Sequence, residues 1–263
     1  MGAQVAATSL DRWDEVADCY DATRGGEVRG RRQARGLAPL LRRGVPVVDL
    51  GTGTGVVAMG LREQGFAVVG LDVSARMLNQ ARRRLGTGLL RADVARLPLA
   101  DGSVTQCLSV WLLHCVPDPG AVLAEVARVL RPGGRYLVLP ADCPLDADAD
   151  WVTRLLDELQ LRLEVRGNDA SNGHAALDLE TLADRAGMRL VAQHKLATAA
   201  CEVPAADTAR DLERRAYRWL LDVDEGAWQE VVAPAITRLR GAAAPVLRRT
   251  RPEVVYILEL RGA

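Results

Sequence analysis

Short apolar segments and amphipathic segments alternate through the middle of the chain. Val45 to Leu50 is apolar and β-branched on both faces, as a parallel strand covered by helices on both sides must be. The same alternation continues to Leu139, and it predicts an α/β fold with a doubly wound, mostly parallel sheet. The predicted strands are Val45 to Leu50, Ala67 to Leu71, Gly88 to Arg91, Val104 to Val110 and Arg135 to Leu139, and the predicted helices are Val56 to Gln64, Ala75 to Leu85 and Gly120 to Leu130.

The segments on either side of this region are mainly helical in pattern. Leu10 to Leu41 has helical spacing with a break at Gly25 and Gly26, and Glu202 to Thr250 is a second helical stretch. We therefore expect an N-terminal helical cap at 1–44, a core at 45–201, a helical lid inserted at 202–252, and the last core strand at 253–263. The remaining predicted elements are helices Trp151 to Val165 and Leu179 to Ala186, and strands Met188 to Ala197 and Val254 to Leu260.

The composition favours a soluble globular protein that binds a small ligand. The chain has 263 residues, and its 34 basic and 34 acidic side chains give a formal net charge of zero. A neutral chain has no overall field that would steer it to nucleic acid. The longest apolar stretch, Cys107 to Val116, is far shorter than the roughly 20 residues of a membrane helix. Scattered cysteines without a CxxC pair predict a reducing, cytoplasmic location and neither disulfides nor a zinc site.

A glycine-rich turn directly after the first predicted strand is the strongest chemical signal. Val47 to Gly55 reads VVDLGTGTG, a strand followed by three alternating glycines and the start of a helix. Glycines at such a turn allow a ligand to approach the backbone closely. Asp49 precedes the glycines, and Asp72 ends the next strand roughly 20 residues later, where an acidic side chain can bind two ribose hydroxyls. The pattern predicts a cofactor that contains a nucleoside.

With these features, the chain resembles the class I S-adenosylmethionine-dependent methyltransferases, in particular the small-molecule group that includes the ubiquinone/menaquinone C-methyltransferases. The resemblance covers about 45–139 and implies a seven-stranded sheet with an antiparallel last strand. The supporting segments are Val69 to Ser74, Ala92 to Val94, Leu97 to Val104, Leu113 to Asp118 and Leu130 to Gly134.

The resemblance also implies a set of cofactor-binding residues. The methionine part of S-adenosylmethionine would lie on the glycine turn, with Asp49 near its amino group, and Asp72 would hold the ribose. Asp93 would accept from the adenine amino group, and Tyr20 and Arg24 of a YDxxR segment would close over the cofactor carboxylate. The full set is Tyr20, Arg24, Asp49, Gly51, Thr52, Gly53, Gly55, Asp72, Val73, Met77, Asp93, Val94 and Ser109.

Several of these residues also have a purely structural interpretation. Asp72 and Asp93 could cap the turns that follow them, and Met77 could be a core residue. The acidic group Asp142, Asp146, Asp148 and Asp150 could bind a metal, but it precedes a predicted helix, where acidic residues are favoured. We therefore predict no metal site.

The predicted reaction is methyl transfer to a small organic acceptor by in-line displacement, with O- or C-methylation preferred. His114 is the candidate general base, although a packing role is the alternative, and His174 and His194 are weaker candidates. Five tryptophans that lie outside the predicted core strands or at their ends indicate either an apolar or aromatic acceptor pocket or the packing of the lid.

Three other functions compete with this reading. An RNA methyltransferase would use the arginines at 29, 31, 32, 35, 42 and 43 as a basic stripe, although a solvated helix face explains them as well. A module that binds the cofactor without catalysis fits the same motifs, because methyl transfer needs no fixed catalytic residue. A nicotinamide-dependent oxidoreductase is disfavoured because the chain has no Tyr-x-x-x-Lys pair.

Overall fold

The chain divides into two compact units. The structure, a computed structural model, describes residues 9–141, 150–165, 178–197, 200–243, 246–249 and 253–262. The core unit comprises Met1–Ala141, Ala175–Leu196 and Glu253–Ala263, and the inserted unit comprises Asp142–His174 and Ala197–Pro252. We expected 45–201 to form one core, but the structure assigns 142–174 to the inserted unit.

Within the described residues the strands form two sheets. They are β1 (Val47–Leu50), β2 (Val68–Asp72), β3 (Leu89–Arg91), β4 (Val104–Val110), β5 (Leu130–Leu139), β6 (Met188–Leu196), β7 (Ala200–Val203), β8 (Val246–Arg249) and β9 (Glu253–Leu260). The core sheet has seven strands in the order β3-β2-β1-β4-β5-β9-β6. Strands β1 to β5 pair in parallel, and β9 pairs antiparallel with both β5 and β6. The predicted doubly wound sheet with an antiparallel last strand is confirmed.

Helices flank the core sheet on both faces. Those of the core unit are α1 (Ser9–Val16), α2 (Tyr20–Arg24), α3 (Gly26–Leu37), α4 (Val56–Glu63), α5 (Ala75–Leu85), α6 (Pro119–Val129) and α8 (Leu179–Arg185). Val47 belongs to a buried cluster that contains residues of α3, α4 and α5, whereas Val48 belongs to a cluster with residues of α6 and α8. Successive strand residues point to opposite faces, so a sheet covered on both sides needs the continuous apolar strands that the sequence shows.

Glycines permit close packing of the N-terminal helices on the core. A Cβ atom on Gly30 of α3 would lie 2.4 Å from the carbonyl oxygen of Val56 at the start of α4. A Cβ on Gly60 of α4 would lie 2.8 Å from the Ala34 side chain. Any larger residue would push these helices apart, so the two glycines set the distance between α3 and α4.

The inserted unit has a hydrophobic cluster of its own. Its helices are α7 (Trp151–Val165), α9 (Ala205–Glu213), α10 (Glu225–Ala227), the π-helical segment Trp228–Val232 and α11 (Ala233–Arg240). Val152 and Leu159 of α7 share this cluster with Leu212 of α9 and Leu239 of α11. This shared apolar contact explains why α7 belongs to the inserted unit.

Strands β7 and β8 differ from the expected all-helical insert. They pair antiparallel as a two-stranded sheet at the two ends of the segment that was predicted to be helical. Each strand is only four residues long, which is too short for the alternation of apolar and polar positions to stand out. Of the helices in the described ranges, none is long and apolar enough to cross a membrane.

Candidate cofactor and acceptor site

The glycine turn has an unusual backbone that leaves one position open. Gly51, Gly53 and Gly55 have φ angles of +66°, +56° and +79°, in the left-handed region that favours glycine. A Cβ on Gly55 would lie 3.0 Å from Ala81 of α5, so packing explains this glycine. At Gly53, no atom lies within 4 Å of the position that a Cβ would occupy. The open space beside Gly53 is available to a ligand.

Asp72 links the end of β2 to the glycine turn. Its Oδ2 accepts a hydrogen bond of 2.8 Å from the Gly53 amide, and its Oδ1 accepts one of 2.9 Å from the Ser74 amide. Burial raises the pKa of the Asp72 carboxyl, and the backbone hydrogen bonds oppose this rise. Helix α5 is capped by Ser74, whose hydroxyl accepts from the Met77 amide. Asp72 is therefore not needed as the cap, and each of its oxygens retains capacity for another donor.

Asp49 supports the turn from within the protein. Its side chain is 2% exposed, and its Oδ2 accepts a hydrogen bond of 2.7 Å from the Thr52 hydroxyl. Burial raises the pKa of Asp49 to about 7, and the hydrogen bond from Thr52 acts in the opposite direction. Neither of these two side chains is among the groups that line the neighbouring cavity.

Asp21 holds helix α2 against the turn. Its Oδ1 accepts a hydrogen bond of 2.6 Å from the Thr54 hydroxyl, and its Oδ2 forms an ion pair of 2.6 Å with Arg84 of α5. Arg84 also donates to the Thr54 carbonyl oxygen at 2.8 Å. These contacts fix the position of the adjacent Tyr20, whose ring meets that of Trp13 edge-on with 6.3 Å between centroids.

A cavity of about 280 Å³ lies beside the turn, where β1, β2 and β4 end. The strand order reverses between β1 and β4, and such a switch point is where open α/β sheets bind their ligands. The residues that line the cavity are Trp13, Tyr20, Gly51, Gly53, Asp72, Val73, Met77, Asp93, Val94, Val110, Trp111, Leu112, Cys115, Val116 and Pro117.

The structure brings eight of the predicted site residues to this cavity: Tyr20, Gly51, Gly53, Asp72, Val73, Met77, Asp93 and Val94. The other predicted residues, which are absent from its walls, are Arg24, Asp49, Thr52, Gly55, Ser109 and His114. Arg24 lies 5.7 Å from the centre of the Tyr20 ring, measured from its guanidinium carbon. Ser109 is buried, and its hydroxyl hydrogen-bonds to that of Tyr136 at 2.7 Å, which turns it away from the expected contact.

The walls outside the predicted set of cofactor-binding residues come mainly from the segment after β4, where Trp111 is one of the five tryptophans expected near an acceptor pocket. Trp111 is a non-glycine residue with a φ of +56°, and its amide donates to the Leu139 carbonyl oxygen at 2.7 Å. A positive φ at a bulky residue costs energy and clusters at functional sites. The segment Leu113 to Asp118 contributed to the family resemblance, but the resemblance supplied no role for its neighbours Trp111 and Leu112.

His114 and Cys115 lie in a 3-10 turn, Leu113–Cys115, directly after Trp111 and Leu112. Cys115 lines the cavity, and its Sγ lies 3.1 Å from Nε2 of His114. The same Sγ lies 3.6 Å from the carbonyl oxygen of Trp111. His114 does not line the cavity itself, but it contacts a residue that does.

The arginines considered as an RNA-binding stripe have local partners in the core unit. Arg31 forms an ion pair of 2.9 Å with Glu63, and Arg32 forms one of 2.5 Å with Glu253. Two others donate to backbone carbonyl oxygens: Arg42 to Gly133 at 3.0 Å and Arg43 to Gln64 at 2.7 Å. Four of the six arginines of the predicted stripe are therefore held by separate contacts within the core unit.

The acidic residues considered for a metal are only partly described. Asp142, Asp146 and Asp148 lie outside the described residues, as does His174. Asp150 caps α7, because its carboxylate accepts from the amide and the hydroxyl of Thr153 at 2.9 and 2.8 Å. Across the described ranges, no group of three or more His, Cys, Asp or Glu side chains is arranged to hold a metal ion.

Comparison with known proteins adds to this geometry. Residues 48–138 match the family described as Methyltransferase domain. A demethylmenaquinone methyltransferase of Thermus thermophilus is 37% identical over 139 residues, which are 48% of this chain and 63% of that protein. An uncharacterized 37.1 kDa protein in transposon TN4556 of Streptomyces fradiae is 31% identical over 191 residues, which are 67% of this chain and 53% of that protein. The chain thus spans between about half and two thirds of the length of these relatives.

The solved structure of a SAM-dependent methyltransferase from Thermotoga maritima has the same fold. It superposes with a TM-score of 0.58 and 18% sequence identity, covering 97% of this chain and all of that one. The fold and the site thus define a Rossmann-like nucleoside-binding domain. The sequence matches make residues 48–138 similar to the Methyltransferase domain family and to the demethylmenaquinone methyltransferases.

Proposed function

We propose that this protein transfers a methyl group from S-adenosylmethionine to a small organic acceptor, with oxygen or carbon as the methylated atom. The observation that carries the proposal is the cavity at the strand-order reversal, where the open side of Gly53 faces space beside the Asp72 carboxylate. A nucleoside cofactor requires two such features: a residue without a side chain where the cofactor approaches the backbone, and an acidic group at the end of the next strand.

The residues in the cavity fit the parts of this cofactor. Asp72 has acceptor capacity for the two ribose hydroxyls. Val73, Met77 and Val94 would provide apolar surface for adenine, and the Asp93 carboxylate would accept from the adenine amino group. Asp93 also accepts a hydrogen bond of 2.9 Å from the Ala95 amide. It therefore stabilises its own turn in addition to its proposed contact with adenine.

The methionine part would lie along the glycine turn. Gly51 and Gly53 are the parts of the turn that line the cavity, and Tyr20 covers them from α2. We assign the cofactor carboxylate to the side of the cavity near Tyr20 and Arg24, because Arg is suited to a bidentate grip on a carboxylate. Thr52, Gly55 and Asp49 contribute indirectly, since they shape and support the turn.

The rest of the cavity suits an apolar acceptor. Trp13, Trp111, Leu112, Val116 and Pro117 line it, and large apolar side chains with few polar groups are typical of small-molecule pockets. When bound, S-adenosylmethionine supplies a methyl group already activated on a sulfonium. The protein then has to orient the acceptor and exclude water, and these apolar walls do both.

Isothermal titration calorimetry of the purified protein tests the cofactor. We expect micromolar binding of S-adenosylmethionine and S-adenosylhomocysteine and no binding of NADH. Binding of NADH alone would overturn the proposal. Binding of the two sulfur compounds without turnover in a screen of phenolic, enolic and carboxylic acceptors would instead favour the module that binds the cofactor without catalysis.

A further inference from the structure

The cavity wall includes a thiol with a basic partner. Cys115 is a reduced thiol that lines the cavity after β4. Its Sγ is 3.1 Å from Nε2 of His114, within hydrogen-bonding distance for sulfur. Cys115 lines the cavity and His114 does not, so Cys115 is the member of the pair that a ligand in the cavity would contact.

The turn that carries this pair is held in place on both sides. The Cys115 amide donates to the Leu112 carbonyl oxygen at 2.8 Å, and its Sγ lies 3.6 Å from the carbonyl oxygen of Trp111. Leu113, the first residue of the 3-10 turn, is 1% exposed and anchors the turn in the core. The sulfur therefore has a fixed position relative to the cavity, which a group that exchanges protons with a bound acceptor requires.

Charged and titratable groups surround this part of the cavity. Tyr20 interacts electrostatically with Arg29 and Arg24, and also with Cys115 and Asp72. Burial raises the pKa of the Tyr20 hydroxyl, so Tyr20 stays neutral and does not compete as a base. Cys115 therefore shares the electrostatic surroundings of Tyr20 with two arginines and with Asp72.

We propose that Cys115 and His114 form a proton-accepting pair for the acceptor, with Cys115 as the catalytic residue and His114 as the residue that ionises it. This inference rests on the proposed methyltransferase function. Nε2 of His114 takes the thiol proton, and the resulting thiolate takes a proton from the hydroxyl or acidic carbon of the acceptor. The acceptor keeps the electron pair of the broken bond, the thiol is restored, and the proton on His114 leaves to solvent.

Alkylation by iodoacetamide tests the pair without knowledge of the acceptor. Only the thiolate reacts, so the rate for each cysteine as a function of pH reports its ionisation. The rates for Cys115 and Cys19 are read peptide by peptide by mass spectrometry, in the wild type and in the His114→Gln and His114→Asn variants. We expect the midpoint for Cys115 in the wild type to lie below the ordinary value of about 8.5. In both variants it should rise toward that value, with a rate at pH 6.5 lower on the order of tenfold.

Two other cysteines serve as internal controls. Cys107 is fully buried, and burial raises the pKa of its thiol to about 12, so it stays unmodified while the core is folded. Cys19 precedes α2 and should react equally in all variants, because His114 does not act on it. An unchanged midpoint for Cys115 in a folded variant, or no reaction of Cys115 at any pH, would overturn the proposed pair.

Adding S-adenosylhomocysteine separates this inference from the proposed function. Its binding should slow the alkylation of Cys115 and leave that of Cys19 unchanged, because only Cys115 lines the cavity. If S-adenosylhomocysteine does not bind in calorimetry, the proposed function fails, whereas the pH dependence of alkylation still reports on the pair.

Discussion

The guanidinium carbon of Arg29 lies 4.2 Å from the centre of the Trp111 ring. Burial lowers the pKa of Arg29, and its Nε is shielded from solvent without a hydrogen-bond partner among the described residues. The indole face is therefore a main compensation for this cation. The contact ties α3 to the strained residue that shapes the cavity wall after β4.

Replacing Arg29 by Ala should lower the free energy of unfolding by about 1–2 kcal/mol, because a largely desolvated cation–π contact is lost. Urea denaturation followed by circular dichroism measures this difference. Arg35→Ala is the matched control, since Arg35 is an exposed residue of the same helix. Equal effects of the two substitutions would contradict the prediction.

Gly53→Ala should weaken the binding of S-adenosylhomocysteine at least about tenfold, because the new methyl group enters the space proposed for the ligand. The backbone strain of alanine at this positive φ should add roughly 1 kcal/mol of destabilisation. Gly102→Ala matches that strain, since Gly102 has a φ of +59° with no atom within 4 Å of its Cβ position, and it is not on the cavity wall. Calorimetry should show normal affinity for the Gly102 variant, and a similar loss in both variants would argue against a ligand at Gly53.

Asp72→Ala should weaken the binding of S-adenosylhomocysteine by about 1.5–3 kcal/mol, the scale of hydrogen bonds to a charged group. The wild-type affinity should also fall as the pH decreases. Burial raises the pKa of Asp72, so its carboxylate is protonated at a higher pH than an ordinary aspartate. In the control Asp101→Ala, an exposed carboxylate is removed and the affinity should stay unchanged. Unaltered binding by the Asp72 variant would disprove the ribose assignment.

Asp49→Asn should make the protein more stable at pH 8 and less dependent on pH. Burial raises the pKa of Asp49 from an ordinary 3.8 to about 7 in the folded chain. At pH values between these two pKa values, the folded state therefore binds one proton more than the unfolded state. Stability is consequently lost as the pH rises from about 4 to 7, by about 1–4 kcal/mol at most for a shift of this size. The neutral amide avoids this loss and can still accept from Thr52.

Denaturation curves of the wild type and of Asp49→Asn at pH 5 and pH 8 measure this effect. The difference in unfolding free energy between the two proteins should be larger at pH 8. A difference that is the same at both pH values would show that Asp49 is not protonated in the folded state at pH 5.

The core sheet and the cofactor side of the cavity were predictable from the sequence. Mainly apolar strands such as Val47 to Leu50 mark a parallel sheet. Asp72 ends β2 and Gly53 lies in the turn after β1, so the places of both depend only on where these strands end. These patterns involve residues that are close in sequence, so they can be recognised without knowledge of the tertiary contacts.

The acceptor side was not predictable in the same way. Trp111 adopts a left-handed backbone that tryptophan rarely favours, and tertiary contacts to Leu139 and Arg29 accompany it. The proposed role of Cys115 depends on the conformation of this segment, whereas the sequence alone indicated His114 as the main candidate base. Ser109 lies on its predicted strand but is absent from the cavity walls, and its hydroxyl hydrogen-bonds to that of Tyr136 on the neighbouring strand β5.

The place of β9 in the sheet has a consequence for how the chain is made. This strand lies between β5 and β6, although it is synthesised after both of them. Until β9 emerges from the ribosome, β5 and β6 cannot reach their final pairing, and each presents an open edge to other chains. Nascent chains of this protein should therefore expose the edges of β5 and β6 that β9 later covers until β9 is inserted between them.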